Sequence, residues 1–165
     1  PPPRARRGAA RVSDPLGMHG ARVRLKVCCI ADPGEARLAI AHGADALGLV
    51  SAMPSGPGVI DDAAIAAIAR TVPPPIATFL LTSRTDAAAI VAQARGSGAN
   101  TLQLVDHVPP DELAAIRAAL PGVRLVQVIH VLDAASVREA VDAAPHVDAL
   151  LLDSGNPRLA VKELG

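Results

Sequence analysis

Proton-transfer chemistry in this chain has to come from a short list of side chains, and the sole cysteines, Cys28 and Cys29, stand together just after Lys26. Side chains alternate across an extended strand, so Lys26 and Cys28 share one face while Leu25, Val27 and Cys29 share the other. With the apolar set turned toward a helix layer, Lys26 and Cys28 face inward. There the ammonium favours the thiolate and draws an ordinary thiol pKa of ~8.5 toward neutrality. Cys28 is therefore a candidate general base. The competing reading is that both cysteines are small buried hydrophobes, a common fate of free thiols.

Asp153 closes an apolar run, Ala149-Leu-Leu-Leu152, where a carboxylate is hard to explain by packing because an unpartnered buried charge is costly. Two roles are open to it: a general acid whose pKa is raised by a partly apolar mouth, or a loop acid bonded to the Ser154 or Gly155 amides. His130 is the only histidine in a plausible catalytic position, and a structural role competes there too. His42 suits the C-terminal cap of a helix, where a cation complements the dipole. No metal is expected, because adjacent strand cysteines point to opposite sides and the histidines have no ligand spacing.

The elements that must carry these groups alternate from Val23 onward between short β-branched or leucine-rich runs and alanine-rich helical patterns, as parallel βαβ construction requires. The strands are predicted at Val23–Cys29, Ala44–Val50, Ile76–Leu81, Thr101–Val105, Val123–Val131 and Val147–Asp153. Asp32-Pro33 with Glu35 forms a capping box with proline at the first helical position, and Gly43 supplies a left-handed stop. Further helices are expected at Asp61–Thr71, Thr85–Arg95, Pro110–Leu120 and Asp133–Ala143. One phrase recurs at the second, fourth and sixth strands: Gly43-Ala-Asp-Ala-Leu-Gly-Leu-Val50, Gly98-Ala-Asn-Thr-Leu-Gln-Leu-Val105 and His146-Val-Asp-Ala-Leu-Leu-Leu-Asp153. Recurrence at every second unit favours a barrel, although a doubly wound sheet could also repeat. In any parallel barrel the reactive groups gather at the C-terminal strand ends. Those ends present Cys28 and Cys29, Ser51, Asp106 and His107, His130, and Asp153 with Ser154.

Composition narrows the function. From Leu25 onward there are ten basic and fifteen acidic residues, and Phe79 is the single aromatic residue. A mildly acidic body without stacking rings is no nucleic-acid surface. The first βα turn, Cys28-Cys-Ile-Ala-Asp-Pro-Gly34, lacks the glycines of a dinucleotide site, and no P-loop occurs. No apolar run approaches the ~20 residues of a membrane helix, and the paired cysteines give no spaced disulfide framework, so a cytoplasmic protein without membrane contact is expected. Residues 1–21, rich in Pro, Arg, Gly and Ala, are expected to be a disordered extension in which Met18 is a candidate start. Residues 22–165 then form the folded domain.

Four phrases in this order resemble the phosphoribosylanthranilate isomerase family. Lys26-Val-Cys-Cys-Ile30 is similar to that family's Lys-Ile-Cys-Gly-Ile, and Gly43 to Val50 to its Gly-Ala-Asp-Ala-Leu-Gly-Phe-Val. Gln103-Leu104 matches the start of its Gln-Leu-His-Gly, and Leu150-Leu-Leu-Asp-Ser154 the strand that ends in its catalytic aspartate. The resemblance implies an α/β fold, a parallel (βα)8 TIM barrel of which about six βα units are present. It implies an Amadori rearrangement of N-(5-phosphoribosyl)anthranilate in tryptophan biosynthesis, with Asp153 as general acid and Cys28 as general base. Lys26, Gln103 and His130 are then expected to contact a small phosphoribosyl substrate. No cofactor is implied, since acid–base isomerisation needs neither redox nor metal, and the oligomeric state is left open.

The chain also departs from that pattern. Met53-Pro-Ser-Gly-Pro-Gly58 replaces a segment whose arginine is expected to hold the anthranilate carboxylate, Val105 replaces a histidine, Gln127 a lysine, and Cys29 the glycine after the catalytic cysteine. These changes favour, as an alternative, a paralogue acting on another phosphosugar. A full barrel needs ~200–250 residues and takes its phosphate cup from the last two units. The chain is accordingly expected to be a fragment or truncated product, with an inactive remnant as the alternative, and with open edges at strands one and six that favour association.

Overall fold

The computed structural model describes residues 23–154 except Ser55, so the expected extension at 1–21 lies outside the described residues. Six strands alternate with five helices: β1 (Lys26–Val27), α1 (Pro33–Ala41), β2 (Ala46–Val50), α2 (Asp62–Thr71), β3 (Ala77–Thr82), α3 (Ala87–Ser97), β4 (Thr101–Leu104), α4 (Pro110–Ala119), β5 (Arg124–His130), α5 (Ala134–Ala143) and β6 (Ala149–Asp153). All pair in parallel, and each strand lies beside its sequence neighbour in the order β1-β2-β3-β4-β5-β6. A doubly wound sheet would reverse direction at a switch point. Here every crossover runs the same way, so the helices cover one face and the sheet curls into a half-barrel around the other.

The register fixes which side chain faces which layer. Leu47 and Leu49 of β2, Leu80 of β3, Leu102 and Leu104 of β4 and Leu125 of β5 are in phase, and they pack with Ile65, Ile68, Ile90, Leu113 and Ile116 of the helices. Each of these is at most 1% exposed, worth about 1.5–3 kcal/mol per side chain. The alternate residues, among them Lys26, Ala46, Gly48, Phe79, Gln103, Val126, Val128 and His130, line the inner face.

The recurring phrase has a structural cause. Its third residue is Asp45, Asn100 or Asp148, and each accepts a hydrogen bond from a backbone N–H in or just before the preceding strand: Leu25 N at 2.9 Å, Thr78 N at 3.0 Å and Leu125 N at 2.8 Å. The repeat is a device for tying the floor of one strand to the next. At Asp148 it is reinforced by Arg117 Nη1 at 2.8 Å and Arg124 Nη1 at 2.9 Å.

Three local expectations change. β1 is shorter than Val23–Cys29 because Cys29 takes a φ of 60° and ends the extended run, while the Leu25 N–H is held by the Asp45 side chain. Glu35 does not close a capping box on Asp32; its Oε2 accepts from Ala31 N at 2.7 Å, while Asp32 Oδ1 accepts from Gly34 and Glu35 N. Helix α3 is capped by Asp86 and not opened at Thr85, because the Asp86 carboxylate reaches Ala89 N at 2.8 Å. Gly43 does supply the left-handed stop after α1, with φ 93°, and His42 is its cap, Nδ1 meeting the Leu38 carbonyl at 2.9 Å. Among the described residues, no helix is long and apolar enough to cross a membrane.

Candidate active site

The first group follows directly from the β1–β2 register. Lys26 pairs with Ala46 and Val27 with Leu47, so Cys28 comes beside Gly48. A β-carbon on Gly48 would stand 2.7 Å from Cys28 Sγ, which puts that thiol on the inner face directly over the glycine. Cys28 is exposed and Cys29 half-buried, so the reading of both as core hydrophobes is corrected: β1 is an edge strand with little to cover it.

Cys29 is corrected as well. Its left-handed backbone breaks the alternation that would have sent it to the opposite face. Burial pushes its thiol pKa up, and the neighbouring Cys28 sulfur pushes it further as a charge and as a hydrogen-bonding partner, against a smaller pull from Lys26.

Lys26 crosses the interior. Its ammonium donates to Gln103 Oε1 on β4 and lies 4.9 Å from the centroid of the Phe79 ring. On a flat sheet β1 and β4 would be about 14 Å apart at the usual strand spacing. Two side chains of this length meet only because the sheet curls. Burial lowers the Lys26 pKa, and the nearby thiols of Cys28 and Cys29 oppose that shift. The ammonium thus acts on both sulfurs through its charge while its hydrogen bond goes to Gln103, a residue only 7% exposed.

The carboxyl group stands at the end of β6. Asp153 is opposite His130 in the register, and His130 Nδ1 is 3.5 Å from Asp153 Oδ2. His130 Nε2 lies 3.2 Å from the Val105 carbonyl oxygen. A carbonyl only accepts, so Nε2 carries hydrogen and Nδ1 is left facing the carboxyl. The His130 side chain is 16% exposed against 43% for Asp153, so the imidazole is enclosed and the carboxyl opens outward. Ser136 Oγ donates to the His130 carbonyl at 3.0 Å and Asp133 caps α5, fixing this corner. Sequence reasoning gave His130 a possible place at the site but missed that it backs Asp153. The signal was available, since both are the last residues of neighbouring predicted strands.

Other candidates separate from this group. Ser51 is fully buried and donates to the Leu81 carbonyl at 2.7 Å, a structural bond. Asp106 and His107 border a cleft of about 490 Å³ next to His130, with His107 Nδ1 3.5 Å from Glu139. Gln127 faces the helix layer, where its Nε2 holds the carbonyls of Leu104 at 3.2 Å and Asp106 at 2.9 Å. Among the described residues, no three His, Cys, Asp or Glu side chains form a group that could hold a metal ion.

Cys28 and Asp153 therefore stand at the C-terminal ends of parallel strands and on the same inner face. No protein-family model matches the chain. It is 30% identical over 135 residues to the N-(5'-phosphoribosyl)anthranilate isomerase of Methanocella arvoryzae, covering 82% of this chain and 63% of that one. It is 33% identical over 132 residues to the enzyme of the same name in Haloferax volcanii, covering 79% and 58%. Among solved structures it matches a phosphoribosyl anthranilate isomerase from Thermus thermophilus with TM-score 0.70 and 26% identity, over 82% of this chain and 64% of that one. The chain is a homologue of the phosphoribosylanthranilate isomerases. It spans about 60% of the length of these curated relatives. A further structure of this isomerase, in complex with reduced 1-(o-carboxyphenylamino)-1-deoxyribulose 5-phosphate, shares the fold at TM-score 0.68 and 22% identity. In this isomerase homologue the half-barrel, its C-terminal rim and the two titratable groups on that rim are the parts in hand.

Proposed function

We propose that the chain carries the acid–base machinery of a phosphoribosylanthranilate isomerase, converting N-(5-phosphoribosyl)anthranilate into 1-(2-carboxyphenylamino)-1-deoxyribulose 5-phosphate. Asp153 gives its proton to the furanose ring oxygen, the C1–O bond breaks, and the arylamine nitrogen stabilises the resulting Schiff base. The Cys28 thiolate then removes the C2 proton to give an enolamine, which tautomerises to the ketone. His130 acts behind Asp153, its Nδ1 able to hold or return the proton that the carboxyl exchanges. Lys26 keeps positive charge near the thiol, and Gln103 holds Lys26 in place.

The observation that carries this reading is the placement of a thiol and a carboxyl on one face and at one rim of a curled parallel sheet. The homologues' name and the ligand in the related complex support the substrate. Expression of the gene in a tryptophan auxotroph lacking this isomerase tests it. Growth is expected, and Cys28→Ala and Asp153→Asn should each abolish it; growth undiminished by both changes removes the two residues from the mechanism.

One observation favours a second substrate. The loop from Ser51 to Ile60 contains no lysine or arginine, so the charge-assisted clamp expected for the anthranilate carboxylate is absent from that loop. A preference for the phosphoribosyl adduct of aniline over that of anthranilate would establish this alternative.

A further inference from the structure

Cys29 has no part in the reaction proposed above, yet the fold is shaped around it. Its φ of 60° lies in the left-handed region, a strained conformation for a residue with a side chain. Each sulfur also sits in a glycine notch. A β-carbon on Gly48 would fall 2.7 Å from Cys28 Sγ, and one on Gly58 would fall 2.4 Å from Cys29 Cβ and 2.8 Å from its Sγ. Strand β2 and the loop through Gly58 thus each give up a side chain where they meet these two cysteines. The thiols remain reachable, because Cys28 is exposed and Cys29 half-buried, and both residues border a cavity of about 520 Å³ beside Leu38 and Ala39 of α1.

We propose that Cys28 and Cys29 form a two-thiol binding site for one soft trivalent centre of the arsenic(III) class, both sulfurs ligating the same atom. The geometry selects this over a direct disulfide. The two residues are joined by a trans peptide, which holds their α-carbons about 3.8 Å apart. An unstrained disulfide needs about 4.4–6.8 Å. A single pyramidal atom set between the sulfurs lengthens the bridge and accepts neighbouring ligands at a bent angle, which a linear two-coordinate cation does not.

With phenylarsine oxide the reaction balances without redox. Two As–S bonds form, the arsenic–oxygen bond is lost, and the two thiol protons leave with the oxygen as one water. Occupation takes away the thiolate assigned as base, a consequence that rests on the proposed function; the chelation does not.

Intact-mass measurement on the full chain treated with one equivalent of phenylarsine oxide separates the two. One arsenic group per chain should appear, with both thiols lost to alkylation. The adduct should survive excess monothiol and be released by a dithiol. Removing one sulfur by Cys29→Ser should make the adduct easier to strip by on the order of 100-fold, the usual gain from a second, intramolecular bond. Cys29→Gly, whose residue suits the left-handed backbone, gives the same readout if the serine variant does not fold. Wild-type adduct stripped by monothiol as readily as that of either variant, or two arsenic groups per chain, overturns the proposal. Neither result depends on isomerase activity, so the proposed function stands or falls separately.

Discussion

Replacing Gly48 by alanine tests whether the Cys28 thiol must stand where β1 and β2 put it. Gly48 does not occupy the left-handed region, so the backbone accepts alanine and the whole effect comes from one methyl group. That methyl would lie 2.7 Å from Cys28 Sγ, 3.1 Å from its Cα and 3.3 Å from its Cβ. Non-bonded heavy atoms settle at about 3.5–4.0 Å, so the sulfur has to retreat by roughly 1 Å. Turning the thiol to another rotamer relieves only the first contact. The other two involve Cα and Cβ, so β1 itself has to move. It can do so at modest cost, because Leu25 and Val27 are 54% and 40% exposed and little packs behind them; about 1 kcal/mol, the low end for overpacking, is expected. A 1 Å displacement of a reacting group costs about 100-fold in rate, equivalent to ~2.7 kcal/mol of barrier. Steady-state kcat/KM on phosphoribosylanthranilate, read beside a urea unfolding curve, should therefore show a near-hundredfold loss in a protein that still unfolds cooperatively. A variant folded as well as its parent and active within twofold of it would refute the placement of the base.

Asn100→Ala leaves the buried Thr78 N–H without its 3.0 Å partner, and should destabilise the fold by about 1–3 kcal/mol in denaturant melts. For Asp148, burial works against the charge. The Leu125 N–H and the Arg117 and Arg124 guanidiniums outweigh it and hold the carboxyl below its ordinary value of 3.8. Its contribution is thus complete above that value and lost as pH falls through the lower folded-state one. Asp148→Asn should destabilise the protein at neutral pH, and the gap between variant and parent should close in acid; a gap unchanged at pH 3 contradicts this. His130→Asn removes the group facing Asp153, and should lower kcat by about 10- to 100-fold while moving the pH profile of kcat/KM. An unmoved profile would show that the imidazole has no share in the Asp153 proton.

Most of the fold was legible because periodicity and caps are local. The strand and helix positions follow from apolar runs bounded by Asp61, Asp133, Gly43 and similar punctuation, and the structure moves their ends by only a few residues. The repeat was legible as a pattern but not as a mechanism, because the bond to Asp45, Asn100 or Asp148 comes from a residue twenty or more positions earlier. Cys28 could be placed on the inner face by counting along its strand, and Asp153 at the end of its own from the apolar run that it closes. The Lys26–Gln103 contact could not, since it depends on curvature accumulated over four strands.

Cys29 marks the limit of alternation as a guide. Counting residues sends it away from Cys28, and that inference holds only while φ stays negative. Here the chain makes a left-handed turn, which a glycine would make without strain, with a side chain attached. Gly58, itself at φ 73°, accommodates that side chain by having none. The loop that lacks an arginine is thus the loop that wraps Cys29, so two departures from the family pattern meet in one contact. Changes at positions 29 and 58 should then be energetically coupled. A double-mutant cycle of Cys29→Gly and Gly58→Ala should find the alanine costly alone and less costly, though still strained at its own φ, once the Cys29 side chain is gone.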